Sequence, residues 1–445
     1  MNGKDNFLAT VCNLAIPVAL QSMLQASFSI IDQIMIGQLG TVNVAAVGFA
    51  GKFSSVFSVV AAAIGAVAGI MISQYMGQKN RWEIRRSFYV NLILAAMIAL
   101  GFTVACIGFP KHMMGLYTKD ASTLAVSADY LRIIGGTFLP IAGATLLSTM
   151  FRCMEKAGLP LYASVISAIT NTGLNFILIF GKWGFPAMGV KGAAVATLFS
   201  QWLNFLAMFV MFIKYGDSFQ YLQNAKQNAS RFNWKQYLNM LLPVLICEFL
   251  WSLGENVYAA IYGHMGTDAS AAMTLINPVQ GLMIGALCGL SQAAGVIIGK
   301  MLGSNEYDKA YQASKKLILY GFVGSAVLSG LIVFARGLYV ELYLVEETVK
   351  QLTQQILFAY AMIAPFKVLN MIVGGGIIRS GGRTKYVMMI DIIGTWLLGV
   401  PLGLLSAFVL ELSIPYVYFI LSLEECVRFG ISLVVLRRKK WMHSL

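Results

Sequence analysis

Charged residues are scarce in this 445-residue sequence, in which Asp, Glu, Lys and Arg together make up only 11%. Soluble globular chains carry about a quarter charged residues and at most about half apolar ones. Here the hydrophobic types reach 58% and the mean hydropathy is +0.73. A water-soluble enzyme is therefore excluded, and most of the chain is predicted to lie in a membrane.

Cysteine and histidine are also few, with six and three residues, and no two cysteines form a CxxC pair. His112, His264 and His443 fall in predicted loops or in the tail. Neither a disulfide framework nor a structural metal site is indicated. A membrane-embedded enzyme would need His, Asp or metal ligands clustered at one depth, so we expect no catalytic site and no cofactor.

Long apolar runs are abundant, and they predict an all-α polytopic membrane protein of twelve transmembrane helices. The predicted spans are 11–36, 45–73, 88–108, 128–150, 161–181, 192–213, 237–262, 270–298, 314–335, 353–377, 386–409 and 414–436.

The net charge of +13 is explained by topology. Basic residues concentrate in alternate loops, such as 79–86 and 214–235, and in the tail at 437–440. This is the positive-inside pattern, which places both termini in the cytoplasm. We expect a monomeric multi-pass protein of the cell (inner) membrane, with membrane lipid around it and no nucleic-acid partner. The first span lacks a signal-peptide cleavage motif.

The chain also repeats itself at an offset of 226 residues. Asn13, Pro17, Gly37, Gly40 and Thr41 recur as Asn239, Pro243, Gly263, Gly266 and Thr267. The repeat predicts an N-lobe over 1–218, a cytoplasmic linker over 219–236 and a C-lobe over 237–445.

Each copy holds six spans, and an even number gives both copies the same orientation in the membrane. The two lobes are then related by a pseudo-twofold axis along the membrane normal, as in parallel-repeat transporters. A cleft between such lobes can open to either side, so the pattern predicts alternating access. Pro17 and Pro243 lie inside the first span of each lobe, where they are either gating bends or simple packing kinks.

Polar groups inside the spans need a partner, a water-filled cavity or a function, because an ionised side chain near the bilayer centre costs about 2.5–3.5 kcal/mol. In the N-lobe, Asp32, Asn171, Asn175 and Thr197 fall at comparable depth in the outer half. They predict a site for Na⁺ or a proton. Hydrogen bonding between helices is the alternative for the asparagines.

The C-lobe spans contain Glu248, Glu255 and Lys367. Glu248 and Lys367 could form a structural salt bridge, while Glu255 lies one turn from the position that corresponds to Asp32 and could be a second coupling or cation-attracting site. A further set is interpreted as structural, with Arg428 able to reach Glu424 at i, i+4. Its members are Asp391, Glu424, Glu425 and Arg428.

Three first-span residues, Gln21, Gln25 and Phe28, are candidate substrate contacts in the cleft, with Met23 beside them. Methionine-rich walls can repack around varied ligands. A lone methionine stripe more often faces lipid or core.

Several segments resemble the multidrug and toxic compound extrusion (MATE) family over essentially the whole chain. They are PVALQSMLQASFSIIDQIMIGQLG in the first span, NTGLNFILIFG in the fifth, GVKGAAVAT in the sixth, and the repeated edges ISQYMG and IGKMLG. The resemblance implies export of organic cations, drugs or metabolites in exchange for H⁺ or Na⁺.

Carried over by position, the family's first-span acid is Asp32, its fifth-span pair is Asn171 and Asn175, and its sixth-span hydroxyl is Thr197. Prokaryotic members of one branch have Asp where this chain has Asn175. The seventh-span acid of other branches resembles Glu248.

The tenth-span acid of those branches has no counterpart here, since Lys367, Val368 and Asn370 occupy its neighbourhood. A lysine there would repel a cation and argues against a copy of their C-lobe ion site. An alternative function is flipping of lipid-linked sugars, which would favour a strongly basic cleft.

Overall fold

The computed structural model describes residues 3–215, 232–343 and 345–445. Every regular element in these ranges is a helix, which confirms the predicted all-α class. The predicted linker, 219–236, lies mostly outside the described residues.

The first half of the chain contains eight helices among the described residues, most of them long apolar runs. They are α1 (Gly3–Gly37), α2 (Thr41–Gly77), α3 (Arg81–Gly108), α4 (Pro110–Gly115), α5 (Ala121–Ile134), α6 (Phe138–Cys153), α7 (Gly158–Phe180) and α8 (Val190–Lys214). A 3₁₀ turn, Gly135–Thr137, joins α5 and α6 into the single apolar stretch that the sequence predicts as the fourth span.

In the second half, three π-helical segments interrupt the predicted tenth and eleventh spans. The helices are α9 (Trp234–His264), α10 (Thr267–Gly303), α11 (Tyr307–Glu341), α12 (Glu347–Asn370), α13 (Thr384–Asp391), α14 (Val400–Leu404), α15 (Ile414–Ser422) and α16 (Glu424–Arg437). The π segments are Met371–Ile378, Ile392–Gly399 and Leu405–Val409.

Among the described residues, eleven helical stretches are long and apolar enough to cross a membrane. The predicted twelfth span, 414–436, is also helical but is interrupted at Leu423, between α15 and α16. Large apolar side chains on these helices are exposed, as at Phe334 (85%) and Leu331 (56%). Lipid rather than water is the solvent that such a surface requires.

The 226-residue repeat is visible in the helix boundaries. Helices α2 and α10 each contain 37 residues, and both their first and last residues are separated by that offset. Gly40 and Gly266, which precede these two helices, adopt φ angles of +94° and +122°. Glycine adopts such angles at little cost, and in both copies a glycine with positive φ precedes the second helix.

The chain divides into two compact units that do not follow the sequence halves strictly. One unit contains Met1–Ala19, Ser73–Gln78 and Arg231–Leu445, and the other contains Leu20–Ile72 and Lys79–Ser230. Helices α1 and α2 each pass from one unit to the other part-way along their length. Pro17 in α1 and Pro243 in α9 both lie inside unbroken helices, where each removes one backbone hydrogen bond.

Within the first of these units, the segment after α16 is held against the end of α2. The side chain of Gln74 donates to the carbonyl oxygens of Ser380 (2.6 Å) and His443 (3.1 Å) and accepts from the backbone N–H of Leu445 (2.8 Å). Gln74 and the indole of Trp441 are both completely buried. The basic tail of the sequence is therefore an ordered part of this unit.

Candidate ion and substrate sites

Asp32 on α1 lies against two asparagines of α7. Asn175 Nδ2 donates to Asp32 Oδ1 at 2.7 Å, and Asn175 is only 1% exposed. Asn171, one turn earlier on α7, is 7% exposed. The structure thus brings together the carboxylate and both amides at one level, as the sequence predicts.

The amide of Asn171 is oriented with its nitrogen toward Asp32. The nitrogen donates to the two carboxylate oxygens at 3.0 and 3.1 Å, while the amide oxygen accepts from Ser200 Oγ at 3.3 Å. An ionised carboxylate accepts hydrogen bonds at both of its oxygens, which matches this orientation.

The hydroxyl of α8 that contacts the Asn171 amide belongs to Ser200, which is 2% exposed. Thr197 is more distant, with its Oγ1 3.5 Å from the same amide atom, and its hydroxyl donates instead to the carbonyl of Ala193 at 2.9 Å. The sequence analysis names Thr197 on this helix, whereas the structure places Ser200, which it does not name, closer to Asn171. The i, i+3 spacing of Thr197 and Ser200 is the signal that could have identified it.

No ion pair involves Asp32 among the residues that the structure describes. Its immediate partners there are neutral, and the buried phenol of Tyr130 on α5 is close enough for its electrostatic interaction with the carboxylate to be appreciable. The oxygen Oδ1 of Asn175 is buried and has no hydrogen-bond partner in the part of the chain that the structure describes. A carboxylate among amides and hydroxyls, without a fixed cation, can take up a proton or a small cation reversibly.

The candidate substrate contacts on α1 have different surroundings. Gln21 Nε2 donates to Ser164 Oγ on α7 at 2.8 Å, which fixes this side chain to its own unit. Gln25 is exposed and Phe28 is half-buried. Of the three, Gln25 is therefore the freest to contact a ligand.

The charged residues of the C-lobe do not form the pair of Glu248 with Lys367 that the sequence suggests. Arg379 Nη1 lies 3.2 Å from Glu248 Oε1, and Lys367 Nζ lies 3.8 Å from Glu255 Oε1. The pairing of Glu248 with Lys367 is thus wrong. The predicted tenth span ends at residue 377, whereas the helix continues through Arg379 and Ser380.

A second cluster lies where α13 and α16 meet. The guanidinium of Arg428 is hydrogen-bonded to Asp391 and lies 3.5 Å from Glu425 Oε2, while Asn370 Nδ2 donates to the same Glu425 oxygen at 2.8 Å. The predicted pairing of Arg428 with Glu424 is therefore replaced by pairing with Asp391 and Glu425. Asn370 and Asp391 each immediately precede a π segment, an irregularity that frequently occurs at functional sites.

Beside this cluster is a cavity of about 240 Å³ with a mixed polar and aromatic wall. Its ionisable and aromatic lining residues are Glu255, Tyr258, Tyr262, Tyr360, Lys367, Tyr418, Glu424 and Glu425. The four tyrosines were not identified from the sequence. The repeat offset offered one signal, because it places Tyr258 at the position that corresponds to Asp32.

Comparisons with known proteins agree with this architecture. The MatE family model matches residues 17–177 and again residues 243–405, so it covers more than half of the chain and does so twice at the repeat offset. Paired six-span repeats with polar sites inside the membrane are typical of secondary transporters. This chain belongs to the MATE family of multidrug efflux transporters.

Curated relatives and solved structures match over nearly the full length. The chain is 26% identical to the probable multidrug resistance protein YoeA of Bacillus subtilis, with 91% of each chain covered. It is 23% identical to the probable multidrug resistance protein NorM of Agrobacterium fabrum, with 93% and 90% covered. The structure of an outward-facing multidrug resistance MATE transporter superposes with a TM-score of 0.86 at 18% identity, covering 97% and 96% of the two chains. The two-lobe fold of twelve spans predicted from the sequence is thereby confirmed.

Proposed function

We propose that this protein is a cation-coupled antiporter that exports small amphipathic or cationic molecules, including drugs or metabolites, by alternating access. The observation that carries the proposal is the placement of Asp32, whose carboxylate is held by the buried amides of Asn175 and Asn171 without a basic partner in the described residues. The names of the relatives, which are probable multidrug resistance proteins, support the substrate class.

Asp32 is the coupling group in this proposal. Loading with H⁺ converts one of its oxygens from an acceptor to a donor. Na⁺ would instead be coordinated by carboxylate and amide oxygens, and Asn175 Oδ1, which has no hydrogen-bond partner among the described residues, is a candidate ligand.

Coupling requires that ion and substrate favour different conformations of the transporter. One charge that crosses a membrane potential of 100 mV contributes about 2.3 kcal/mol. At about 1.4 kcal/mol per decade, this supports a substrate gradient of roughly fiftyfold. We further propose that the chain functions as a monomer in the inner membrane. Both termini would lie in the cytoplasm, as the distribution of its basic loops favours.

Flipping of a lipid-linked sugar is the weaker candidate. A pyrophosphate-bearing lipid would require a strongly basic cavity, whereas the charged side chains that line the cavity beside Tyr258 are three glutamates and one lysine. Export of small molecules agrees better with this charge balance.

The test is efflux from proteoliposomes with imposed pH or Na⁺ gradients, measured with a panel of fluorescent cationic dyes. We expect the wild type to drive export with at least one of the two gradients, and Asp32→Asn to abolish export against a gradient while the protein remains folded. Asp129→Asn is the matched control, because Asp129 is half exposed and paired with Lys191. Ion-driven export at the wild-type rate by Asp32→Asn would reject the assigned role.

A further inference from the structure

The cavity beside Tyr258 is lined by both acidic and basic side chains, which form an acidic pole and a basic pole. The site at Asp32 has no such basic pole among the described residues. Glu255, Glu424 and Glu425 line the cavity as acids, and Lys367 lines it as a base. Of the three acids, Glu425 is already engaged by Arg428 and Asn370. Among the described lining residues, Lys367 is the only cation.

The acidic pole contains one buried and one partly exposed carboxylate. Glu424 is only 4% exposed, and the hydroxyl of Tyr258 lies against its carboxylate. The side chain of Glu255 is 46% exposed, and its partner among the described residues is Lys367 at 3.8 Å. The oxygens of Glu255 are therefore open to a bound N–H donor.

The basic pole is likewise incompletely engaged. Lys367 Nζ is 3.8 Å from Glu255 Oε1, which is beyond hydrogen-bond distance, and 27% of the lysine side chain is exposed. Arg428, the nearby alternative cation, is instead occupied by Asp391 and Glu425. Lys367 therefore retains donors that can reach a ligand in the cavity.

These two poles discriminate between ligands by charge. A ligand with only a positive charge would be repelled by Lys367, and one with only a negative charge would be repelled by Glu255 and Glu424. A ligand that carries both charges can insert between the loosely paired groups, with each of its charges next to an opposite one. Such an arrangement leaves no buried charge uncompensated.

The size and shape of the cavity restrict the class of ligand further. The volume of about 240 Å³ lies below the roughly 300–1,000 Å³ of cavities for drug-sized ligands. Tyr262 and Tyr418 line it with ring centroids 6.3 Å apart, and Tyr360 is also in the wall. Flat aromatic groups pack well against such walls.

We propose that this cavity is a substrate subsite for a small aromatic zwitterion, with the ligand ammonium between Glu255 and Glu424 and the ligand carboxylate on Lys367. The assignment deepens the proposed transport function and rests on it. It gives Lys367 a role in substrate specificity rather than in ion coupling.

The experiment measures binding of three probes that share one ring to the purified full-length protein by calorimetry at neutral pH without a gradient. Phenylalanine is the zwitterion, phenylalanine methyl ester the cation and N-acetylphenylalanine the anion. We expect the wild type to bind phenylalanine at least about tenfold more tightly than either derivative. Lys367→Gln should reverse this order in favour of the methyl ester, and Glu255→Gln should shift it toward N-acetylphenylalanine.

If Glu255 and Lys367 have only a structural role, both variants should weaken the binding of all three probes by the same factor. This result would overturn the subsite. Equal wild-type affinities for phenylalanine and its methyl ester, or no binding of any probe at millimolar concentration, would also overturn it. Lys191→Gln, which removes an exposed lysine outside the cavity, should leave the ranking unchanged.

Measuring gradient-driven dye efflux alongside probe binding distinguishes the proposed antiport function from the proposed subsite. Selective phenylalanine binding without gradient-driven export of any dye would reject the antiporter and retain the subsite. Gradient-driven dye export without charge selectivity in binding would reject the subsite alone.

Discussion

Gly77 and Gly303, which are 226 residues apart, make the same contact in opposite directions. A β-carbon on Gly77 would lie 2.0 Å from the carbonyl oxygen of Lys300, and one on Gly303 would lie 1.9 Å from that of Gln74. Lys300 is itself 226 residues after Gln74, so the contact is self-complementary in the way that twofold-related surfaces are. At this contact, equivalent residues of the two sequence copies pack against each other.

Alanine at either glycine should therefore destabilise the protein. We expect Gly303→Ala to lower stability by about 1–3 kcal/mol, because the helix backbones must separate to admit the methyl group. The double variant with Gly77→Ala should cost less than the sum, since both methyl groups open the same contact. Thermal unfolding in detergent measures this, with Gly101→Ala as the control, because Gly101 has open space around it. Equal behaviour of Gly303→Ala and Gly101→Ala would contradict the argument.

The hydroxyls of α8 should contribute unequally to ion coupling. Ser200→Ala removes the hydroxyl that donates to the amide oxygen of Asn171, and a lost hydrogen bond of about 1 kcal/mol corresponds to roughly fivefold in ion affinity. Thr197→Val should change it by less than about twofold, because that hydroxyl mainly bonds Ala193. The ion concentration that gives half-maximal efflux measures both effects, and a larger effect of Thr197→Val would show that the hydroxyl assignment is wrong.

Removing Arg428 should be far more damaging than removing an exposed base. Arg428→Met leaves the carboxylates of Asp391 and Glu425 buried without compensation, which costs about 3–5 kcal/mol. Lys191→Gln breaks a pair in which both side chains are more than half exposed and should cost at most about 1 kcal/mol. Unfolding temperatures of the two variants test the difference, and adding Asp391→Asn to Arg428→Met should recover part of the loss.

Asp120 caps the start of α5, just before a membrane-spanning stretch. Hydrogen bonds from the hydroxyl of Ser122, and from the hydroxyl and backbone N–H of Thr123, lower the pKa of Asp120 to about 2 from an ordinary value of 3.8. The cap therefore stabilises fully above the ordinary pKa, and its contribution disappears as the pH falls through about 2. Asp120→Asn should lower the unfolding temperature near neutral pH, and the difference from the wild type should shrink progressively below about pH 4. A difference independent of pH would reject the link to this carboxylate.

The sequence predicted the spans and the repeat well because lipid imposes a simple requirement, an apolar run of sufficient length. It also placed Asp32, Asn171 and Asn175 together, because their depths follow from counting residues along ideal helices. The pairing of Glu248 with Arg379 could not be obtained in this way. It depends on how the helical turns around Met371–Ile378 rotate Arg379, and no periodicity in the sequence encodes that rotation.

The interruption at Leu423 was missed for a related reason. The run from Ile414 to Arg437 is apolar enough to be interpreted as one span, yet a new helix begins at Glu424. Its first turn contains Glu424 and Glu425, and the positive end of a helix dipole favours carboxylates there. The two glutamates were interpreted as ordinary structural charges because the helix start was not visible in composition.

Pro17 lies two residues before the position, between Ala19 and Leu20, at which α1 leaves one compact unit and enters the other. The backbone hydrogen bond that Pro17 cannot donate is therefore missing within one turn of the position at which the unit assignment of α1 changes. Asp32, fifteen residues further along, belongs to the second unit, and α1 is unbroken between these two residues. Alanine at position 17 would restore the missing donor and raise the helix propensity of this stretch.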